Sequence, residues 1–154
     1  PKEKWISLLD KIDPLIQVYI IGGPSDSVLA EEIMNASVTK ERITNLCGKL
    51  SLLQSVALQK DALRNFVNDS GPMHFASAVN APVTAIYCST VPSFGYGPLS
   101  DDRAIVQTLV PLACKPCGLH GHADCPEGHF KCALTIEDQQ ILITLSQSAN
   151  PLIH

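Results

Sequence analysis

Leu63-Arg64-Asn65-Phe66-Val67-Asn68-Asp69-Ser70-Gly71-Pro72-Met73-His74-Phe75-Ala76-Ser77-Ala78-Val79 is the stretch that decides the fold. An apolar, strand-like run (63–67) leads through a tight turn (68–72) into a helix of small residues. A strand that feeds directly into a helix belongs to an α/β sheet, and the turn between them lies at the sheet edge where such folds hold ligands. Asp69 or Ser70 can cap the helix, and Pro72 suits its first turn. Gly71 lets a ligand approach the backbone closely. The N–H groups of that first turn, with the helix dipole behind them, favour an anion such as a phosphate. A well-capped turn without a ligand fits the same residues.

The pattern repeats on both sides. Trp5, Leu8, Leu9 and Ile12 fall at helical spacing, so residues 2–12 read as an amphipathic helix that Asp13-Pro14 ends. Residues 15–21 read as an apolar strand, 25–35 as a helix and 43–47 as a strand. Ser51 caps a third helix that runs to about Lys60. Beyond the turn, 83–88 and 105–110 read as strands, and a closing helix runs from Thr135 or Ile136 to about Ser146. Strands and helices alternate, and the strands are apolar along their length. Both features indicate a parallel sheet covered on two faces, a Rossmann-like arrangement. With 154 residues, one such domain spanning 1–154 is expected.

Composition excludes several classes. A net charge of −4 and a pI near 5.6 argue against a nucleic-acid surface. No segment has the roughly 20 apolar residues a membrane span requires. The first residues, Pro1-Lys2-Glu3-Lys4-Trp5, lack the apolar core of a secretory signal, so none is expected. A nicotinamide-binding Rossmann protein is disfavoured because no Gly-x-Gly-x-x-Gly follows any strand.

Of six cysteines, Cys47 and Cys88 read as small core residues. The other four, Cys114, Cys117, Cys125 and Cys132, lie in a Cys/His-rich loop spanning 111–133 that also holds His120, His122 and His129. A Cys-x2-Cys followed by two further cysteines and a histidine suits a structural zinc ion in tetrahedral coordination. Free thiols, or disulfides formed on purification, fit the spacing as well.

The Asn68-Asp69-Ser70-Gly71-Pro72-Met73-His74 run, its small-residue helix and the following Ala81-Pro82-Val83 resemble glycosyltransferase family 9, the ADP-heptose:lipopolysaccharide heptosyltransferases and their relatives. The likeness continues in Ile20-Ile21-Gly22-Gly23-Pro24-Ser25-Asp26 and Asn45-Leu46-Cys47-Gly48-Lys49-Leu50-Ser51-Leu52, and in the loop 90–98. It covers nearly the whole chain, but only the C-terminal half of a two-domain GT-B enzyme.

What the resemblance implies is specific. The domain should bind the nucleotide-sugar donor, an ADP-heptose-like molecule. Asp69 matches the position nearest the nucleotide diphosphate, and Ser70, Gly71, Pro72 and Met73 match the turn whose backbone faces the phosphates. His74 either helps the leaving group or is a buried histidine that holds the helix start. Lys49 and Leu50 match the loop that holds adenine through main-chain groups, or Lys49 is simply a solvated surface lysine. Gly22 and Gly23 lie at the ligand edge or simply make a turn that needs glycine. The implied reaction is inverting sugar transfer to a lipopolysaccharide core acceptor, with no cofactor or metal required for catalysis and no catalytic base among these residues. The base is expected in an N-terminal domain that this sequence does not include. The chain therefore reads as a fragment, inactive alone, lacking the domain's first strand and prone to self-association across the uncovered surface. The implied location is cytoplasmic, peripheral to the inner membrane face in the full-length enzyme. The cysteine loop is expected to lie far from the donor, so that Lys115 should not influence donor affinity. The competing reading is a non-catalytic interaction module that carries a zinc knuckle on an α/β scaffold.

Overall fold

Five consecutive buried residues, Val83-Thr84-Ala85-Ile86-Tyr87, make the most enclosed strand of the protein. A computed structural model describes residues 1–122 and 124–148 of the chain. Ala123, inside the 111–133 loop, and residues 149–154, counted with the domain above, lie outside the described residues. The chain forms two compact units, Pro1–Ala57 and Leu58–His154.

In the first unit, helix α1 (Lys2–Lys11) buries Leu8 and Leu9, as its spacing requires. Its C-terminal carbonyls meet a buried cation. The Arg42 guanidinium donates to the carbonyls of Leu9, Ile12 (3.2 Å) and Ile16 (2.9 Å), a favourable charge at that end of a helix. Strands β1 (Val18–Ile20) and β2 (Ile43–Asn45) pair in parallel, Val18 opposite Ile43, with α2 (Ser27–Ala36) between them in sequence. The apolar run expected as a strand from residue 15 starts only at Val18. Asp13 is the reason: its carboxylate accepts the Leu15 N–H at 2.9 Å and its carbonyl the Ile16 N–H at 3.0 Å. Residues 13–16 are thereby spent in a turn that leaves Leu15 92% exposed. Ser51 caps α3 (Leu52–Lys60) as expected: its hydroxyl accepts the Gln54 N–H, and Gln54 Oε1 accepts the Ser51 N–H in return.

In the second unit, β3 (Asn65–Asn68), β4 (Val83–Tyr87) and β5 (Arg103–Gln107) form a parallel sheet in that order. Residues alternate between the faces of a strand, and β4 uses both. Val83, Ala85 and Tyr87 pack with Val67, Ala81 and the Met73 and Ala76 side chains of α4 (Gly71–Ala78). Thr84 points the other way, where its hydroxyl meets Thr144 at 2.7 Å on α6 (Asp138–Ser148). Arg64, also buried, donates to the Val83 carbonyl (3.2 Å) and Thr84 Oγ1 (3.3 Å) and pairs with Asp102. The parallel, two-faced α/β arrangement is thus present.

Strand β5 shifts, the closing helix starts at Asp138, and one helix is new. Strand β5 lies at 103–107, not 105–110, because its register sets Arg103 against Val83 and Gln107 against Tyr87, where β4 ends. A short helix α5 (Lys131–Leu134) precedes α6, unexpected from a loop rich in Cys and His.

Gly48 is the glycine whose replacement the first unit tolerates least. Its φ is +71°, and a Cβ there would sit 2.8 Å from Pro24 Cα, a main-chain atom that cannot move aside cheaply. Gly48→Ala is expected to cost about 1–3 kcal/mol through the strained backbone alone. A lowered denaturation midpoint with an unchanged m-value checks it.

Candidate functional site

In the second unit, β3 delivers Asn68 to the sheet edge and α4 starts three residues later. Asp69, Ser70, Gly71 and His74 are all exposed on this turn. The helix begins after Ser70 with no side-chain cap, so neither expected cap forms. The Ser70 hydroxyl donates to the Asn68 carbonyl at 3.3 Å, and the Asp69 carboxylate accepts the Thr90 hydroxyl at 2.7 Å. Of the first turn, Pro72 has no N–H, and that of Met73 donates to the Ser70 carbonyl at 3.1 Å. No side chain caps the helix, so within its first turn the Gly71 N–H is the donor left to an anion.

Met73 and His74 part ways. The Met73 side chain is wholly buried under the sheet, so only its backbone belongs to the turn. His74 is exposed, which removes the buried-histidine alternative and leaves its imidazole accessible to a ligand.

Sequence reasoning missed two residues here. Thr90 is buried three positions past β4 and holds the Asp69 carboxylate. Tyr87, the last residue of β4, donates its hydroxyl to the Tyr96 carbonyl at 2.9 Å and so ties down the aromatic loop. Burial, with the Asp69 carboxylate adding to it, pushes the Tyr87 phenol up to about 12. Their signal was positional: both close the most apolar strand, at the same edge as the turn.

In the first unit, Gly22, Gly23, Lys49 and Leu50 form one loop system. Gly48 N–H donates to the Gly22 carbonyl at 3.0 Å, and Asp26 Oδ2 accepts the Gly23 N–H at 2.8 Å. Neither Gly22 nor Gly23 has a positive φ, so the expected need for glycine angles does not hold. Gly22 is required for space: a Cβ there would lie 2.7 Å from Asp26 Oδ2. The Lys49 ammonium folds back onto the Asn45 carbonyl at 2.8 Å. The Lys49 side chain is thus engaged within its own loop. Buried Asn45 organises it, accepting the Cys47 N–H (2.9 Å) and donating to Glu31 Oε1 (2.9 Å).

In the cysteine loop Cys125, Cys117 and Cys114 all lie close enough to Cys132 to act on its thiol. Cys114 Sγ and His129 Nε2 approach to 4.0 Å, and the Phe130 N–H donates to Cys125 Sγ at 3.3 Å. Backbone N–H groups, that of Phe130 foremost, hold the Cys125 thiol below its ordinary value, whereas burial pushes Cys132 up. All six cysteines are free, and among the described residues no three His, Cys, Asp or Glu side chains are arranged to hold a metal ion. Cys114, Cys117, Cys125 and Cys132 are thus neighbours without forming such a group.

Instead, one end of this loop reaches the sheet edge. The Lys115 ammonium donates to the Tyr87 carbonyl (3.0 Å) and Gln107 Oε1 (3.2 Å), and the Cys117 N–H to the Ser89 carbonyl (2.8 Å). Burial lowers the Lys115 pKa from its ordinary value. The loop is consequently one residue removed from Thr90, not distant from Asp69.

Comparison with known proteins places these features in context. A family model described as glycosyltransferase family 9 (heptosyltransferase) matches residues 1–126. Lipopolysaccharide heptosyltransferase 2 of Escherichia coli K12 is 31% identical over 139 residues, covering 88% of this chain and 38% of its own length. Lipooligosaccharide heptosyltransferase 2 of Haemophilus influenzae is 37% identical over 94 residues, 60% of this chain and 27% of that protein. The solved structure of E. coli ADP-heptose lps heptosyltransferase II superposes with a TM-score of 0.77 at 27% identity, covering 96% of this chain and 41% of that one. The chain thus spans well under half the length of these relatives.

Proposed function

The chain belongs to glycosyltransferase family 9, and from that premise we propose that it is the donor-binding part of an inverting enzyme which transfers a heptose-like sugar from a nucleoside-diphosphate donor to a lipopolysaccharide core. The observation that carries this reading is the exposed 69–74 turn: an uncapped helix start, a glycine at its first position and an aspartate held by Thr90. The helix N–H groups receive the diphosphate and stabilise the charge that grows on it as the sugar departs. This needs no metal. Asp69, oriented by the Thr90 hydroxyl, accepts hydrogen bonds from the donor, and His74 stands beside the same phosphates. None of these residues is assigned to deprotonate the acceptor, so this chain alone is expected to bind donor without turnover. No helix among the described residues is long and apolar enough to cross a membrane, which is compatible with action on a cytoplasmic donor at the membrane face.

Calorimetric titration of ADP into the full-length protein tests the assignment. Asp69→Ala is expected to weaken both ADP binding and turnover. Thr90→Val removes the hydroxyl that holds the carboxylate, a loss of about 1 kcal/mol, so ADP affinity should fall about fivefold. Wild-type affinity in Asp69→Ala would place the phosphates elsewhere.

A further inference from the structure

The last rung of the β4–β5 ladder is Tyr87 opposite Gln107, and the Lys115 ammonium bonds to both members of that pair. Two hydrogen bonds from one ammonium, one to each member of the pair, tie this part of the loop to the sheet at a definite place. The loop then follows the chain leaving β4. Cys117 N–H bonds to the Ser89 carbonyl at 2.8 Å. Gly121, at φ +73°, lies so close to Ser89 that any Cβ would collide with its hydroxyl. Thr90, next in the chain, is buried and gives its hydroxyl to Asp69. Ser89-Thr90 is therefore held by the loop on one side and bonded to the Asp69 turn on the other.

We propose that residues 112–121 brace Ser89-Thr90, and that Lys115 is the positioning residue through which this brace aims the Asp69 carboxylate at the hydroxyl groups of the bound donor. Lys115 itself touches neither donor nor acceptor; it acts through Tyr87, Ser89 and Thr90. The proposal rests on the reading of the 69–74 turn as the donor site. It assigns to the Cys/His-rich loop a task that involves no metal and no thiol chemistry.

The test is a double-mutant cycle on ADP affinity in the full-length protein, with each variant's fold checked by circular dichroism. Lys115→Met is expected to weaken ADP binding by about three- to fivefold, no more than Thr90→Val, through which it acts. Gly121→Ala, which keeps Lys115 but presses on Ser89, should weaken it as well, and it stands in if Lys115→Met fails to fold. Lys131→Met, an exposed lysine beyond the brace, should bind like wild type. If Lys115 acts through Thr90, the double variant Lys115→Met/Thr90→Val binds about as well as the weaker single variant. A merely structural lysine gives effects that add. Additive losses, or unchanged ADP affinity in both Lys115→Met and Gly121→Ala while Asp69→Ala still weakens it, overturn the brace. If Asp69→Ala and Thr90→Val both bind ADP like wild type, it is the donor reading that fails.

Discussion

Gly71→Val in the full-length protein should fold normally and yet lose ADP affinity by about a hundredfold or more, the effect of a branched side chain standing where phosphate must meet backbone. The structure separates the two effects. A Cβ at Gly71 would meet only the Phe75 ring, at 3.8 and 3.9 Å, an ordinary contact, and its φ is not positive. Helix propensity does not oppose the change either, since valine ranks above glycine. Gly71→Ala, with a smaller side chain, should fall between valine and wild type. Calorimetric titration with ADP beside a thermal melt reads both quantities. Undiminished binding by Gly71→Val would mean that the residue assignment is wrong even though the family is right.

Met73→Ala should do the reverse. Its side chain is fully buried beneath the sheet with Val67, Ala76, Val83, Ala85 and Tyr87, and its sulfur accepts the Tyr87 hydroxyl at 3.4 Å. Truncation leaves a cavity worth about 2–5 kcal/mol, whereas Met73→Leu, nearly conserving volume, should cost less than about 1.5 kcal/mol. ADP affinity of the folded Met73→Ala protein should stay near wild type, since only the Met73 backbone serves the turn. Urea denaturation of the two variants checks the stabilities. A Met73→Ala protein as stable as wild type would place this side chain outside the core.

These two variants also show where the sequence could be read and where it could not. The turn from Asp69 to His74 was legible because strand, glycine, proline and helix stand next to one another in the chain. So was the Ser51 cap, a local pattern complete within four residues. What escaped depends on residues far apart in sequence. Thr90 joins Asp69 from 21 positions away, and Lys115 reaches Tyr87 across 28. No local pattern marks such partners. The arrangement of the cysteine loop lay out of reach for a related reason: spacing says which side chains can meet, not which way the backbone turns them. The strand expected from residue 15 failed on a single competitor, the Asp13 carboxylate, which bonds a nearby N–H more readily than a distant strand can.

Thr84 carries a different consequence. It is a hydroxyl in the middle of a strand with no exposed residue, and its partners Thr144 and Arg64 come from separate elements. Sliding β4 by one residue against its neighbours would turn Val83 or Ala85 toward those partners and thrust the hydroxyl among the methyl groups above α4, where nothing polar awaits it. An entirely aliphatic β4 would be just as apolar and far less particular about where it stops. The threonine works as an alignment pin, so the length of chain that emerges beyond Tyr87, and with it the place where Thr90 meets Asp69, is set from inside the core.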